Sequence, residues 1–200
     1  MVKESTTLTD RQREIIDAAI SLIAEKGIQE LTIKNLSRKI GLSEGAIYRH
    51  FESKLDILKG ILDTFKASKD NLLKVLNEEN LTPDVKLEKL LYERFEYFEN
   101  HPAIASVIFS EEIFRHDTQL SEYIYEIMFF MQDVFVKIIQ EGQNSGIFKK
   151  NVSAKSIGYM ITGAMRNIVL RWKHSGFSYP LKTEGAELWQ TIKVLIKEDL

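Results

Sequence analysis

Only three prolines and ten glycines punctuate the 200 residues, and that scarcity constrains the fold more than any other feature of the chain. A β-rich fold of this length needs a turn roughly every 8–12 residues. Here apolar residues instead recur at three- and four-residue intervals, as in Ile15, Ala19, Leu22 and Ile23, which is the period of a helix with one buried face. There is no hairpin signal, internal repeat or low-complexity tract. The chain reads as all-α with about nine helices.

Local signals place the helix ends. Thr9 and Gln12 form a capping box for the first helix, and Gly27 ends it. Thr32 caps a short second helix carrying Ile33, Leu36 and Ile40 on one side, and Gly41 ends it. Ser43 opens a third helix expected to run through Phe51, and Ser53 with Asp56 opens a fourth. The apolar stripe of that fourth helix (Leu55, Leu58, Leu62, Phe65, Leu72, Leu76) is broken only by Lys69. Thr82-Pro83 starts a fifth helix reaching about Asn100, and His101-Pro102 forces a break before a helix from about Ala103 to Arg115. Residues 119–144 are apolar nearly all round and are expected to form the most buried helix. Ser153 caps the next, to about Ser175, and Thr183 caps the last.

Composition excludes several classes of function. With no cysteine there is no disulfide scaffold, thiolate metal site or cysteine nucleophile. The polar residues 1–10 hold no secretory core, and apolar runs such as residues 127–131 fall far short of the 18 or so needed to cross a bilayer. A cytoplasmic protein without membrane contact is expected. There is no Gly-rich phosphate loop, no nucleophile elbow and no paired acid–base constellation, so an enzyme is not expected, nor any cofactor or metal. Glu112 and His116 share a helix face, where a solvated ion pair is the ordinary outcome.

Charge is unevenly shared. The whole chain carries −2, but residues 32–54 hold Lys34, Arg38, Lys39, Arg49 and Lys54 against Glu44 and Glu52, a net +3. Residues 61–200 hold 17 basic and 20 acidic side chains. A small cationic segment beside an acidic bulk is the layout of a DNA-reading head on a larger body. The second and third helices meet through Gly41-Leu42-Ser43, as in a helix-turn-helix. Ser43 and the free N–H groups behind it suit a phosphate, and Gly45 and Ala46 keep the leading face low. Tyr48, Arg49 and His50 offer donors to phosphate or base edges, and Lys54 is placed to pair with a flanking phosphate.

Ala18-Ala19, Leu22-Ile23, Gly27, Leu31-Thr32-Ile33, Leu36, the run from Ile40 to Ser43, the run from Gly45 to Phe51, Lys54 and Leu55 closely resemble the N-terminal domain of the TetR family of tetracycline-repressor-like regulators. Glu141-Gly142-Gln143 and Ile147-Phe148 resemble that family's effector domain more loosely. The resemblance implies an all-helical homodimer on double-stranded DNA with two reading heads and a ligand-sensing body. Thr32 would touch a phosphate; Ser43, Glu44, Gly45 and Ala46 would face bases or phosphates; Tyr48 and His50 would grip phosphates, Arg49 could reach either, and Lys54 would clamp the flank. Glu44 departs from the basic or neutral residue common at its position. It is open to three roles: accepting from a cytosine amine, complementing the helix dipole, or rejecting wrong sequences by repulsion.

Residues 1–54 therefore read as a helix-turn-helix DNA-binding domain and 55–200 as a ligand-binding and dimerisation domain. In the second, Phe98, Phe109, Met128 and Met131 are candidates to line an apolar ligand cavity, against plain core packing. Arg166, the only charge between Ser156 and Leu170, calls for a partner in its own chain, the other subunit or a ligand. Gly158, Thr162, Trp172, Trp189, Ile192 and Leu195 are the candidates for a two-fold interface. The expectation is a ligand-responsive repressor that binds a palindromic operator as a homodimer and is released by a small, largely apolar effector. The rivals are a helical small-molecule-binding protein and an architectural DNA-binding factor without an effector.

Overall fold

The computed structural model describes residues 8–67, 73–74, 76–78, 80–110 and 118–198. Among them are nine α-helices: α1 (Asp10–Lys26), α2 (Ile33–Ile40), α3 (Glu44–Tyr48), α4 (Lys54–Ala67), α5 (Pro83–Asn100), α6 (Pro102–Ile108), α7 (Thr118–Asn144), α8 (Ala154–His174) and α9 (Leu181–Ile196). A 3₁₀ turn, Ile28–Glu30, follows α1. The only β pairing among the described residues is an isolated bridge between Phe148 and Lys197, so the fold is all-α.

The head is built by short-range capping. The Thr9 hydroxyl accepts from the Gln12 N–H while the Gln12 side chain accepts from the Thr9 N–H. Thr32 accepts from Asn35 N–H at 3.1 Å and Ser43 from Ala46 N–H at 3.1 Å. Between them Gly41 turns at φ 68°, the left-handed conformation that glycine adopts without strain. α3 closes at Tyr48, short of the expected Phe51. The Gln12 side-chain amide donates to the His50 carbonyl at 3.2 Å, tying α1 to the turn that follows α3.

α4 starts where expected, with Ser53 Oγ accepting from Asp56 N–H, and is described as far as Ala67; residues 68–72 of its expected stripe lie outside the described residues. α6 begins at Pro102 and ends at Ile108, and the expected continuation with Glu112, Phe114 and His116 also lies outside them. α9 begins at Leu181 rather than at a Thr183 cap. Glu99 of α5 accepts from Lys182 N–H at 2.8 Å, so an orphan donor of the first turn is met from another helix and no local cap is needed.

In the body, α5, α7, α8 and α9 close a four-helix ring in which each packs on the next: α5 on α7, α7 on α8, α8 on α9, α9 on α5. Close approaches lock the ring. A Cβ on Gly142 would lie 2.1 Å from the Phe148 ring, and one on Gly185 would lie 2.3 Å from Phe95. α6 lies between body and head, in contact with α1, α4, α5 and α8. Buried side chains run as one cluster from Ile15 and Ile16 in the head to Trp172 and Trp189 in the body. The expectation that α7 would be the most buried helix is corrected: Tyr125, Met128 and Phe129 are exposed on one side of it, because the ring contacts only part of its circumference.

Candidate nucleic-acid interface and ligand cleft

α1 and α2 support α3 from behind, with Ile15, Leu36 and Ile47 fully buried between them. That leaves Thr32, Ser43, Glu44, Gly45, Tyr48 and Arg49 exposed, Tyr48 at 52%. The hydroxyls of Thr32 and Ser43 accept from backbone N–H groups, which leaves each O–H to donate outward. No atom lies within 4 Å of where a Gly45 Cβ would stand, so the backbone there is open to close approach. His50 and Lys54 are half-buried at the edge. Ala46 is corrected from an outward to an inward residue. It is 9% exposed beside Ile47, because on a five-residue helix these two share the side turned to α2. One cation of the segment is engaged elsewhere: Lys39 pairs with Glu25 of α1 at 2.8 Å. Lys39, with the Ser21 hydroxyl, holds the Glu25 carboxyl below its ordinary value.

The second feature is a cleft of about 650 Å³, measured out to its open mouth, inside the body. It brings together all five sequence candidates, Phe98, Phe109, Met128, Met131 and Arg166, on one wall system with Phe65 of α4 and Arg94 of α5. Its predominantly apolar lining with a few polar side chains is that of a small-molecule site. Phe65 stacks on Phe98 with centroids 5.6 Å apart, and the Arg94 guanidinium lies 5.7 Å from the Phe65 centroid and 5.4 Å from that of Tyr97. Burial pushes the Arg94 pKa below its ordinary value, opposed by the charges of Glu93 and Tyr97. Burial likewise pushes the Tyr97 hydroxyl up. Arg166 is half-buried on the same cleft, and neither arginine is an isolated charge.

Sequence reasoning missed Phe65 and Arg94. Phe65 was read only as part of a core stripe. Arg94 carried a usable signal, since it interrupts the apolar run Leu87, Leu90, Leu91, Phe95 and Phe98 on α5, all of them buried. Thr162, expected at an interface, lines the cleft.

The interface candidates divide. Trp172, Trp189 and Ile192 are buried within their own chain, and a Cβ on Gly158 would meet Val136 of α7 at 2.8 Å. Gly158 and Trp172 face inward because α8 packs on α7 and α9, and Trp189 and Ile192 because α9 packs on α5 and α8. Leu195 alone of the six is exposed, at 54%; Val194 beside it on α9 and Tyr159 and Met160 on α8 are exposed as well. Among the described residues no group of three or more histidines and carboxylates is placed to hold a metal ion, and no described helix is long and apolar enough to cross a membrane.

A three-helix head that presents α3, set on a helical body with an apolar cleft, defines a helix-turn-helix regulator. Residues 15–61 match the pattern of the bacterial regulatory proteins of the tetR family, and residues 68–196 match that of the YsiA-like protein C-terminal region. The chain belongs to the TetR family and is a DNA-binding transcriptional regulator. Among curated relatives it is 23% identical over 193 residues to the nucleoid occlusion factor SlmA of Actinobacillus pleuropneumoniae, covering 96% of this chain and 95% of that one. It is 26% identical over 171 residues to the fatty acid metabolism regulator protein of Bacillus subtilis, covering 84% and 86%. The same fold is seen in the transcriptional regulator FadR of Bacillus subtilis, solved with stearoyl-CoA (TM-score 0.77, 24% identity, 90% of this chain and 96% of that one). It is seen again in SmeT, the repressor of a multidrug efflux pump of Stenotrophomonas maltophilia (TM-score 0.75, 16% identity, 94% and 91%).

Proposed function

We propose that the chain is a repressor that binds a palindromic operator as a homodimer and lets go when a small, largely apolar effector fills the cleft. The observation that carries this reading is Phe65. It lines the cleft, yet it belongs to α4, the helix that starts beside the reading surface. Filling the cleft therefore acts on the element that holds the head. The stearoyl-CoA bound to the Bacillus subtilis FadR supports an apolar occupant, and the triclosan bound to SmeT supports it again.

On DNA, Ser43, Glu44 and Gly45 face base edges or phosphates, Thr32, Tyr48 and His50 hold phosphates, Arg49 reaches either, and Lys54 clamps the flank. Residues 1–54 carry the reading and 55–200 the sensing and dimerisation. The two-fold contact is formed by the exposed side of α8 and α9 around Leu195, Val194, Tyr159 and Met160, which gives a self-complementary apolar surface. It sets the heads about 34–36 Å apart, one turn of duplex. The protein acts in the cytoplasm, without enzymatic activity, cofactor or membrane contact. An architectural factor without an effector has no use for the cleft, which weighs against that rival.

The test is to select bound fragments from a random DNA pool with the full chain, then to screen apolar compounds for release of the selected fragment. An inverted repeat with its half-sites one helical turn apart, released by a compound that also raises the melting temperature, is the expected result. Enrichment of no sequence overturns the DNA reading. Enrichment without release by any cleft-binding compound overturns the effector.

A further inference from the structure

α4 and α7 are joined by a row of polar links with a constant offset. Lys59 donates to Gln119 at 2.9 Å, the Tyr123 hydroxyl donates to Asp63, and Lys66 pairs with Glu126 at 3.6 Å while its ammonium lies 4.6 Å from the centre of the Tyr123 ring. The partners differ by 60 positions each time. The two helices thus run in the same direction, and their i, i+4, i+7 positions meet one to one. Burial raises the Tyr123 hydroxyl's pKa, and Asp63 and Glu126 add to the rise, so the phenol stays a donor to Asp63 throughout the physiological range.

The row's neighbours on each side give it a role. At one end α4 is seated on the head: a Cβ on Gly60 would stand 2.6 Å from Ile16 and 3.8 Å from Phe51, and Ile57, Leu58 and Ile61 are buried there. At the other end, the turns of α7 that follow Glu126 supply Ile127, Met128, Met131 and Phe135 to the cleft. Apolar packing between two helices is non-directional and lets one slide along the other, whereas hydrogen bonds weaken steeply when misaligned. The links are also half-exposed, so each can break and re-form at small cost.

We infer that this row, Lys59–Gln119, Asp63–Tyr123 and Lys66–Glu126, is the coupling that makes α4 follow α7 when the cleft is filled. The inference rests on the proposed reading that the cleft takes the effector and the head takes DNA. None of the six side chains touches either ligand in that reading. They are positioning residues, and their signature is a change in the factor by which cleft occupancy weakens DNA binding.

The test uses a cleft-filling substitution in place of an effector. Met131→Trp adds an indole to the cleft wall, and Thr162→Phe is an independent filler. Operator affinity is measured on the selected fragment for wild type, Tyr123→Phe, each filler and each double variant. In the wild-type background a filler should weaken operator binding about tenfold, within the usual range of coupling between sites. In the Tyr123→Phe background the same filler should weaken it about threefold or less. Lys59→Met combined with Lys66→Met, which removes the outer links and keeps Tyr123, should reduce the factor in the same way. Equal factors in all backgrounds overturn the inference and leave the cleft reading standing, assigning the coupling to the apolar contacts of α6 with α1 and α4. Fillers that change nothing in the wild type overturn the inference together with the cleft reading. A lower melting temperature for Tyr123→Phe with an unchanged factor marks the row as merely structural and overturns the inference.

Discussion

The head and the body of this molecule are specified in different ways. In the head, the three helices are started by side chains that bond to backbone three residues on, at Thr9, Thr32 and Ser43, and the turn between the last two is made by one glycine. In the body, α8 alone of the ring helices has a side-chain cap among those described, Ser153 accepting from Ser156 N–H, while α5 and α9 begin with proline at or before the first turn and without one. Accuracy there comes from close approach between distant segments, as at Gly142 with Phe148 and Gly185 with Phe95. A head written in local signals can present exposed residues on a stable support. A body held by tertiary fit can keep a cleft, because its helices are fixed by contacts away from it.

The contrast can be broken by substitution, and the glycines give the largest effect. Gly142→Ala places a methyl against a fully buried ring and should cost about 2–3 kcal/mol in urea unfolding. Gly45→Ala meets open space in a helix and should leave stability unchanged or raise it by about 0.5 kcal/mol, while weakening operator binding. A Gly142→Ala variant as stable as wild type would remove the argument for tertiary fit in the body. Next comes assembly. Leu195→Glu should convert dimers to monomers in sedimentation with little change in melting temperature. Gly158→Leu, whose new side chain meets Val136 of its own chain, should lower the melting temperature itself. If Leu195→Glu leaves the dimer intact, the two-fold contact lies elsewhere on the body.

Tyr48→Ala comes third. At 52% exposure its side chain does little for the core, so stability should stay within about 0.5 kcal/mol. Operator affinity should fall for all sequences, and the salt slope should stay as it is, because a neutral phenol releases no counterion. An unchanged affinity across a salt titration removes Tyr48 from the phosphate contacts. The smallest effect is expected of Glu44→Gln. Of the four base-pair edges, cytosine presents a lone amine donor in the major groove, so a carboxylate that reads a base should select cytosine. Gln should relax that preference by roughly tenfold at one base pair and leave stability unchanged. A selected operator identical for both proteins would confine Glu44 to the helix dipole or to repulsion.

Legibility from sequence followed the same division. The Thr9–Gln12 box, the Thr32 and Ser43 caps and the Gly41 reversal were readable because cause and effect lie within a few residues. The bond from Gln12 to the His50 carbonyl at the end of the turn after α3 was not, because it spans 38 positions. In the body, residue type was readable and direction was not. The aromatic and methionine candidates stood out by their adaptability, and all four, Phe98, Phe109, Met128 and Met131, meet around the cleft with Arg166. Trp172, Trp189 and Ile192 were equally apolar, and nothing local distinguishes a helix side packed on its own chain from one left for a partner. Only the ring order of α5, α7, α8 and α9 decides that, and ring order is a long-range property.

The missing side chain at Gly60 has a practical consequence for protein engineers. It lets Ile16 of the head seat directly against α4, so these parts travel as one piece although sensing is assigned from residue 55 onward. A chimera that exchanges reading heads between regulators of this kind should carry α4 with the transplanted head. Spliced at residue 54 instead, a foreign helix arriving with a bulkier residue at position 60 would wedge the new head off its seat and sever the sensor from the DNA.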